Sequence, residues 1–255
     1  ASTADAVVIV AGITEGEFQD RAFLSLPGHQ EELINAMAAT GKPVVVLLVG
    51  GSAITMSNWM NKVKAIATIW YPGEQGGHAV ANMLFGKTNP AGRLPITWPQ
   101  HESQLPLVYN HKPTGRGDDY NNLSGQPLFP FGFGLSYTSF TYSNPYLSSD
   151  TIRNTDSILF RCSIRNTGSV DGAEVVQLYI RDVLSTVARP VIELKGFQRI
   201  FLKAGEEKTI EFRITPEMLS MLNGRMETVV EPGTFELMIG ASSADIRLKE
   251  KLLVQ

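Results

Sequence analysis

Residues 5–12, DAVVIVAG, form a continuous apolar run of strand length near the start of the chain. Such a run predicts a β-strand covered on both faces, as in parallel sheets. Two more apolar runs follow at residues 42–50 (KPVVVLLVG) and 65–71 (AIATIWY), and helical patterns occupy residues 27–41 and 76–86. This alternation, with short connections, predicts parallel strands joined by right-handed crossovers.

Three strands are fewer than the five or six that are usual in a doubly wound sheet. The chain also enters its first strand almost at once, after ASTAD, and no signal peptide is recognisable there. We therefore expect further strands on the N-terminal side and a larger protein of which this chain is one part.

The hydrophobic period changes to two in the second half of the chain. Ile158, Phe160, Cys162 and Ile164 alternate with more polar residues, and similar short runs recur up to the end. This pattern predicts an antiparallel β-sandwich of immunoglobulin or fibronectin type III kind. The predicted fold class is thus α/β plus all-β, with a partial α/β sandwich at 1–100, a Pro- and Gly-rich loop and connector at 101–145, and a β-sandwich at 146–255.

The composition excludes several classes of function. Hydrophobic residues make up 43% of the 255 residues and charged residues 18%, and the net charge is −3. Without a run of basic residues, neither nucleic acid nor an anionic membrane is expected as a partner. No apolar stretch reaches the roughly 18 residues of a membrane span. The single cysteine is expected to be a buried structural thiol, and the dispersed histidines predict no metal site and no cofactor.

A cluster of charged residues follows the first predicted strand directly. Residues 15–21, EGEFQDR, contain three carboxylates and one arginine. Ligands bind beyond the carboxyl ends of the strands in open α/β sheets. Paired carboxylates at such a position indicate acid–base chemistry.

Several motifs, taken in order, carry a resemblance to a known family. They are GEFQDR (16–21) with LPG (26–28), WYPGEQGG (70–77), GKTNPAGRLPITWP (86–99), LFPFGFGLSYTSF (128–140), NTG (166–168), and RP (189–190) with LKGF (194–197). With them the chain resembles, over essentially its whole length, the C-terminal portion of glycoside hydrolase family 3, the β-glucosidase and β-xylosidase group.

The resemblance implies a retaining glycosidase whose active site is shared between domains. In that family an aspartate nucleophile lies on a barrel domain and a glutamate of the α/β sandwich is the general acid/base. No eight-fold βα pattern precedes residue 5. The nucleophile is therefore expected on an N-terminal barrel domain of the same enzyme, and this chain alone is expected to be inactive.

The resemblance further implies a β-glucosidase that hydrolyses terminal β-D-glucosyl residues of a β-linked oligosaccharide or an aryl glucoside, and a periplasmic or extracellular location. A β-xylosidase of the same family and a non-catalytic module for carbohydrate binding or assembly are the alternatives. Homodimer formation is left open.

The resemblance places the general acid/base on Glu17, four residues before Arg21. Its rival is Glu15, because the family's loop varies and acidic neighbours are common there. The plainer interpretation of Glu17 is a solvated carboxylate paired with Arg21. Asp20 and Arg21 are expected to fix the loop by ion pairing, with Arg21 also able to tune the pKa of the acid.

The long polar loop at residues 111–126 contains three further candidates. Asp118, Asp119 and Tyr120 are expected either to approach sugar hydroxyls or to contact the barrel. A solvated loop without a direct role is the alternative, because long polar loops are often mobile.

Overall fold

A computed structural model of the protein describes residues 3–114 and 119–255. The chain forms two compact units. The α/β unit contains the chain up to Lys87 together with Trp98–Leu107, and the β-sandwich unit contains the rest. Within the described residues no helix is both long and apolar enough to cross a membrane.

The α/β unit contains the strands β1 (Val7–Gly12), β2 (Val44–Val49) and β3 (Ala65–Trp70) and the α-helices α1 (Gln30–Ala38) and α2 (Gly76–Leu84). The strands form a parallel sheet in the order β1-β2-β3. The strand and helix types predicted from the apolar runs are confirmed, because each run has the length and period of the element it forms.

Helix α1 begins three residues later than the sequence pattern predicts. Gly28 has φ = 63°, in the left-handed region, and a right-handed helix cannot pass through that conformation. The side chain of Gln30 then turns back to the sheet. Its Oε1 accepts a hydrogen bond from the Gly12 backbone N–H (2.7 Å), and its Nε2 donates one to the Gly12 carbonyl (2.9 Å), which anchors the end of β1 to the start of α1.

Strand β2 is the buried centre of the sheet, with Val44, Val46, Leu47 and Leu48 almost completely buried. The expectation that β1 is also covered on both faces is wrong for the described residues. Val8 and Val10, which share one face of β1, are 50% and 66% exposed, whereas Ile9 and Ala11 on the opposite face are buried. The apolar run predicts a strand but does not by itself determine how many of its faces are covered.

The β-sandwich unit confirms the predicted architecture. The elements are β4 (Phe140–Leu147), β5 (Thr151–Ile152), β6 (Ile158–Asn166), β7 (Gly172–Asp182), β8 (Glu193–Leu202), β9 (Glu207–Ile214), α3 (Pro216–Leu219), β10 (Met221–Leu222), β11 (Thr228–Val229), β12 (Gly233–Gly240) and β13 (Ile246–Val254). One sheet has the order β5-β13-β12-β7-β8, the other β4-β6-β9, and β10 and β11 form a separate hairpin. The described strand pairs are antiparallel except that the two-residue strand β5 runs parallel to β13.

The core of this unit lies between the two sheets. Phe160 and Cys162 of β6, Leu178 of β7 and Leu237 of β12 are members of one buried apolar cluster. The inward-facing side chains alternate with outward-facing polar ones, as the period of two requires. Cys162 is buried and free, as expected.

The segment before the sandwich is held to it by a buried ion pair and short backbone bonds. Arg93 Nη2 lies 2.7 Å from a carboxylate oxygen of Glu174, and both side chains are buried. The backbone of Leu94 donates to Phe133 and accepts from Gly132, each at 2.8 Å. Residues 88–97 therefore belong to the β-sandwich unit, although they follow α2 directly along the chain.

Candidate active site

The loop that contains the candidate acids leaves the sheet from the end of β1. Ile13 is buried, and its backbone N–H donates to the Val49 carbonyl (3.0 Å), so the chain stays attached to β2 for one residue beyond β1. The following residues lie at the carboxyl end of the parallel sheet. The segments that follow β2 and β3 reach the same edge, because parallel strands all end on one side.

Glu15 is held by groups from three separate chain segments. Its Oε2 accepts hydrogen bonds from the Gly51 backbone N–H (2.6 Å) and from the Tyr71 hydroxyl (3.1 Å). Its Oε1 accepts one from the Ser52 hydroxyl, and Arg21 Nε lies 3.5 Å from the same oxygen. The carboxylate of Glu15 thus joins the ends of β1, β2 and β3.

The electrostatics of Glu15 follow from these contacts. Partial burial raises the pKa of the Glu15 carboxyl, but the hydrogen bonds from Ser52, Gly51 and Tyr71 and the charge of Arg21 together outweigh it. The pKa is therefore held below its ordinary value, because every one of these donors stabilises the ionised form. A carboxyl of this kind is deprotonated at neutral pH and is a poor general acid.

Arg21 fixes the far end of the same loop. Its Nη2 donates to the Ser52 hydroxyl (2.7 Å) and to the Ala53 carbonyl (3.0 Å). Its Nη1 is buried and has no hydrogen-bond partner among the described residues. The ion pair of Arg21 is formed with Glu15, not with Glu17, so the plainer interpretation that pairs Glu17 with Arg21 is wrong in this structure.

Glu17 lies in a tight turn between these two anchors. The Gln19 backbone N–H donates to the Gly16 carbonyl (3.1 Å), which closes a turn with Glu17 and Phe18 at its two central positions. Phe18 has φ = 64° and is 93% exposed. Glu17 is also exposed, and its carboxylate has no hydrogen-bond or ion-pair partner within residues 3–114 and 119–255.

The other candidates lie in different environments. Asp20 is exposed and forms no ion pair with a described residue, unlike its expected role in fixing the loop. Asp119 accepts hydrogen bonds from the Gly125 backbone N–H (2.8 Å) and the Ser124 hydroxyl (3.2 Å) within its own loop. Tyr120 is exposed, and its backbone N–H donates to Leu123. Asp118 lies outside the described residues, and the roles of these three loop residues stay predictions.

Sequence reasoning missed the residues that complete the cluster around Glu15. Gly51, Ser52 and Tyr71 are 36, 37 and 56 positions away along the chain. One signal was available, because each of them follows shortly after an apolar strand and therefore lies at the carboxyl edge of the sheet. Among the residues that the structure describes, no group of three or more His, Cys, Asp or Glu side chains is arranged to hold a metal ion.

Comparison with known protein families matches both units of this fold. The profile of the glycosyl hydrolase family 3 C-terminal domain matches residues 1–137, and that of a fibronectin type III-like domain matches residues 174–243. The chain therefore belongs to glycoside hydrolase family 3.

The curated relatives are glycosidases of two kinds. A beta-xylosidase of Formosa agariphila is 43% identical over 98% of this chain, and a periplasmic beta-glucosidase of Salmonella typhimurium is 40% identical over 97%. The chain spans about a third of the length of these relatives, 35% and 34% respectively.

A solved structure extends the similarity to three dimensions. The beta-glucosidase from Listeria innocua in complex with glucose superposes with a TM-score of 0.95 at 33% identity, over 99% of this chain and 37% of that one. At this identity the agreement supports the same fold for both units and membership of the same family.

Proposed function

We propose that this chain is the C-terminal part of a retaining β-glycosidase that hydrolyses terminal β-D-glucosyl residues, with Glu17 as its general acid/base. The observation that carries the proposal is the different environment of two carboxylates in one loop. Glu15 is held by four neighbours as an ion, whereas Glu17 is exposed at a turn with no partner among the described residues. A group that must meet a substrate has to be accessible to it.

The chemistry assigns two successive tasks to this carboxyl. In the first step Glu17 donates its proton to the glycosidic oxygen while the bond from that oxygen to the anomeric carbon breaks and a nucleophilic carboxylate bonds to the carbon. In the second step the Glu17 carboxylate takes a proton from water, whose oxygen displaces the nucleophile. The nucleophile is proposed to be an aspartate on an N-terminal barrel domain of the same protein.

The relatives support this proposal and also a close alternative. The beta-glucosidases of Salmonella typhimurium and Listeria innocua favour a glucosyl substrate, whereas the beta-xylosidase of Formosa agariphila favours a xylosyl one. The same acid/base would serve either sugar, which differ in one hydroxymethyl group. Parallel assays of the full-length protein with aryl β-glucoside and aryl β-xyloside decide between them by the ratio of kcat/KM.

The role of Glu17 is tested by Glu17→Gln in the full-length protein. We expect kcat to fall by about 10²–10⁴-fold on a β-glucoside with a poor leaving group, since that is the contribution of general acid–base catalysis. On 2,4-dinitrophenyl β-glucoside the first step needs no acid, so added azide should restore turnover and give β-glucosyl azide. Glu32→Gln, an exposed carboxylate in the first turn of α1, is the matched control and should leave the rates unchanged.

Two outcomes would overturn the assignment. Unchanged turnover of the poor substrate in Glu17→Gln would remove Glu17 from the mechanism. Azide rescue in Glu15→Gln but not in Glu17→Gln would move the role to Glu15.

A separate assay addresses the shared active site. We expect this chain alone to hydrolyse neither aryl glycoside, because its proposed nucleophile lies elsewhere in the protein. Substantial turnover by the chain alone would refute the divided site. The periplasmic location of the Salmonella typhimurium relative leads us to propose export from the cytoplasm, which cell fractionation of the full-length protein would test.

A further inference from the structure

We propose that Glu15 is a positioning residue that holds the turn around Glu17 in its active geometry, a role that rests on the proposed function of Glu17. Glu15 itself does not touch the substrate in this proposal. Its carboxylate acts through the backbone, by tying the loop after β1 to the segments that follow β2 and β3.

The first argument is that the Ser52 side chain joins the two ends of the loop, so that residues 15–21 and Ser52 form a closed ring. The Ser52 hydroxyl donates to Glu15 Oε1 and accepts from Arg21 Nη2. Glu15 lies two residues before Glu17, and Arg21 lies four residues after it. The two ends of the segment that contains Glu17 therefore meet at a single group on the loop after β2.

The second argument is that the ring has no strong support from its own interior. Phe18 has a left-handed φ, which is unusual for a bulky residue, and its side chain is almost fully exposed. Such a conformation persists only where the surroundings determine it. Since Phe18 packs against little, the turn is held by its own bond between Gln19 and Gly16 and by the contacts at the two ends of the loop.

The third argument is that Glu15 provides most of these end contacts. It connects to the Gly51 backbone, to Ser52, to Tyr71 and to Arg21. A glutamine at this position has one acceptor oxygen in place of two and no charge, so it cannot satisfy the donors on both oxygens or pair with Arg21. Whichever way it is oriented, its amide N–H groups would face either the Gly51 N–H or the Arg21 guanidinium, both of which can only donate.

Loss of this support is expected to affect the chemical step more than binding. A displacement of about 1 Å at a catalytic group costs on the order of 10²-fold in rate. Because Glu15 does not touch the substrate in this proposal, KM should change little. The predicted signature of Glu15→Gln is therefore a fall in kcat of about 10- to 100-fold on poor leaving groups, a smaller fall on 2,4-dinitrophenyl β-glucoside, and no rescue by azide.

The experiment compares four variants of the full-length protein with the wild type. Glu15→Gln and Ser52→Ala remove the centre of the network, and Tyr71→Phe removes only the hydroxyl that donates to Glu15. Glu32→Gln is the control for loss of an acidic side chain on the same unit. Kinetics with the two leaving groups, with and without azide, are combined with hydrogen exchange of the Gln19 amide, whose bond to Gly16 closes the turn.

We expect faster exchange of the Gln19 amide and slower turnover in Glu15→Gln and Ser52→Ala. In Tyr71→Phe both rates should change in the same directions by about 2- to 5-fold, which corresponds to the loss of one hydrogen bond. Neither rate should change in the control. Should Glu15→Gln fail to fold, Tyr71→Phe still tests the direction of the effect. Wild-type exchange together with wild-type kcat in Glu15→Gln would overturn the positioning role and leave Glu17 as the acid/base.

Other results separate this proposal from the one on which it rests. Azide rescue in Glu15→Gln would make Glu15 the acid/base and overturn both. A wild-type protein that hydrolyses no glycoside would overturn the proposed function and with it any role of Glu15 in catalysis, whereas the exchange measurement would still show whether Glu15 holds the turn.

Discussion

Replacement of Asn166 by alanine should strongly destabilise the β-sandwich unit. Asn166 is fully buried at the end of β6, and all of its side-chain hydrogen-bonding groups are used. Its Oδ1 accepts from the Thr138 hydroxyl (2.6 Å) and the Gly168 backbone N–H (3.1 Å). Its Nδ2 donates to the carbonyls of Val170 (2.9 Å) and Leu202 (3.2 Å).

The magnitude follows from the number and burial of these bonds. Each intramolecular hydrogen bond contributes about 1 kcal/mol net, and a buried group left without a partner costs about 1–3 kcal/mol. The Thr138 hydroxyl can rotate toward another acceptor, but the two carbonyls and the Gly168 N–H cannot. The expected loss for Asn166→Ala is therefore about 4 kcal/mol of unfolding free energy.

The assay is urea unfolding of the chain followed by far-UV circular dichroism. With an m-value of about 2 kcal/mol/M, a loss of this size lowers the unfolding midpoint by about 2 M. Because the three tryptophans, Trp59, Trp70 and Trp98, all lie in the α/β unit, their fluorescence provides a separate measure of that unit.

Asn223→Ala is the matched control, since Asn223 forms hydrogen bonds to Arg225 and Glu227 within a turn that is open to solvent. Water replaces those bonds after truncation, and we expect a loss of about 1 kcal/mol or less. Equal midpoint shifts for Asn166→Ala and Asn223→Ala would refute the argument from burial.

Three further predictions concern single residues. Phe18→Gly should stabilise the α/β unit by about 0.5–1 kcal/mol in urea unfolding, because glycine relieves the strain of the left-handed φ. Phe23→Gly, at an exposed position without positive φ, should destabilise the unit, and a change of the same sign for both variants would contradict the reasoning. Burial raises the pKa of the Cys162 thiol to about 12, so a thiol reagent at neutral pH should label it only as fast as the unit unfolds, and immediate labelling of the folded chain would contradict burial. The pKa of Glu15 is lower in the folded state, so its stabilising contribution is present above the ordinary value near 4.5 and is lost as pH falls through the folded-state pKa. The urea midpoint of Glu15→Gln should therefore fall less on acidification than that of the wild type. Parallel pH profiles of the two midpoints would disprove the linkage.

Much of the fold could be predicted because its signals are local. The apolar runs that form β1, β2 and β3 have strand length, and the alternation at β6 has a period of two. Both patterns arise from the geometry of a single strand and need no knowledge of its neighbours. The later start of α1 and the exposed face of β1 were not predicted, because they depend on one left-handed residue and on which elements pack nearby.

The NTG motif at residues 166–168 illustrates the same difference between local signals and contacts with distant residues. The sequence marks it as a family feature, yet nothing in the three letters shows that Asn166 would be fully buried with every polar group satisfied. That result depends on Thr138 and Leu202, which are 28 and 36 positions away.

Sequence patterns alone indicate the class of each unit, the location of a carboxylate-rich loop at the end of the first strand, and two rival candidates for one acidic role. The environments of the two candidates become distinguishable once the chain is folded. Glu15 and Glu17 are two positions apart and chemically identical, so no local pattern separates them. Their difference comes from the parallel sheet, which brings the ends of β2 and β3 against Glu15 and leaves Glu17 exposed at the turn. Hydrogen-bond partners of this kind are selected by the path of distant loops, and that path exists only once the chain has folded.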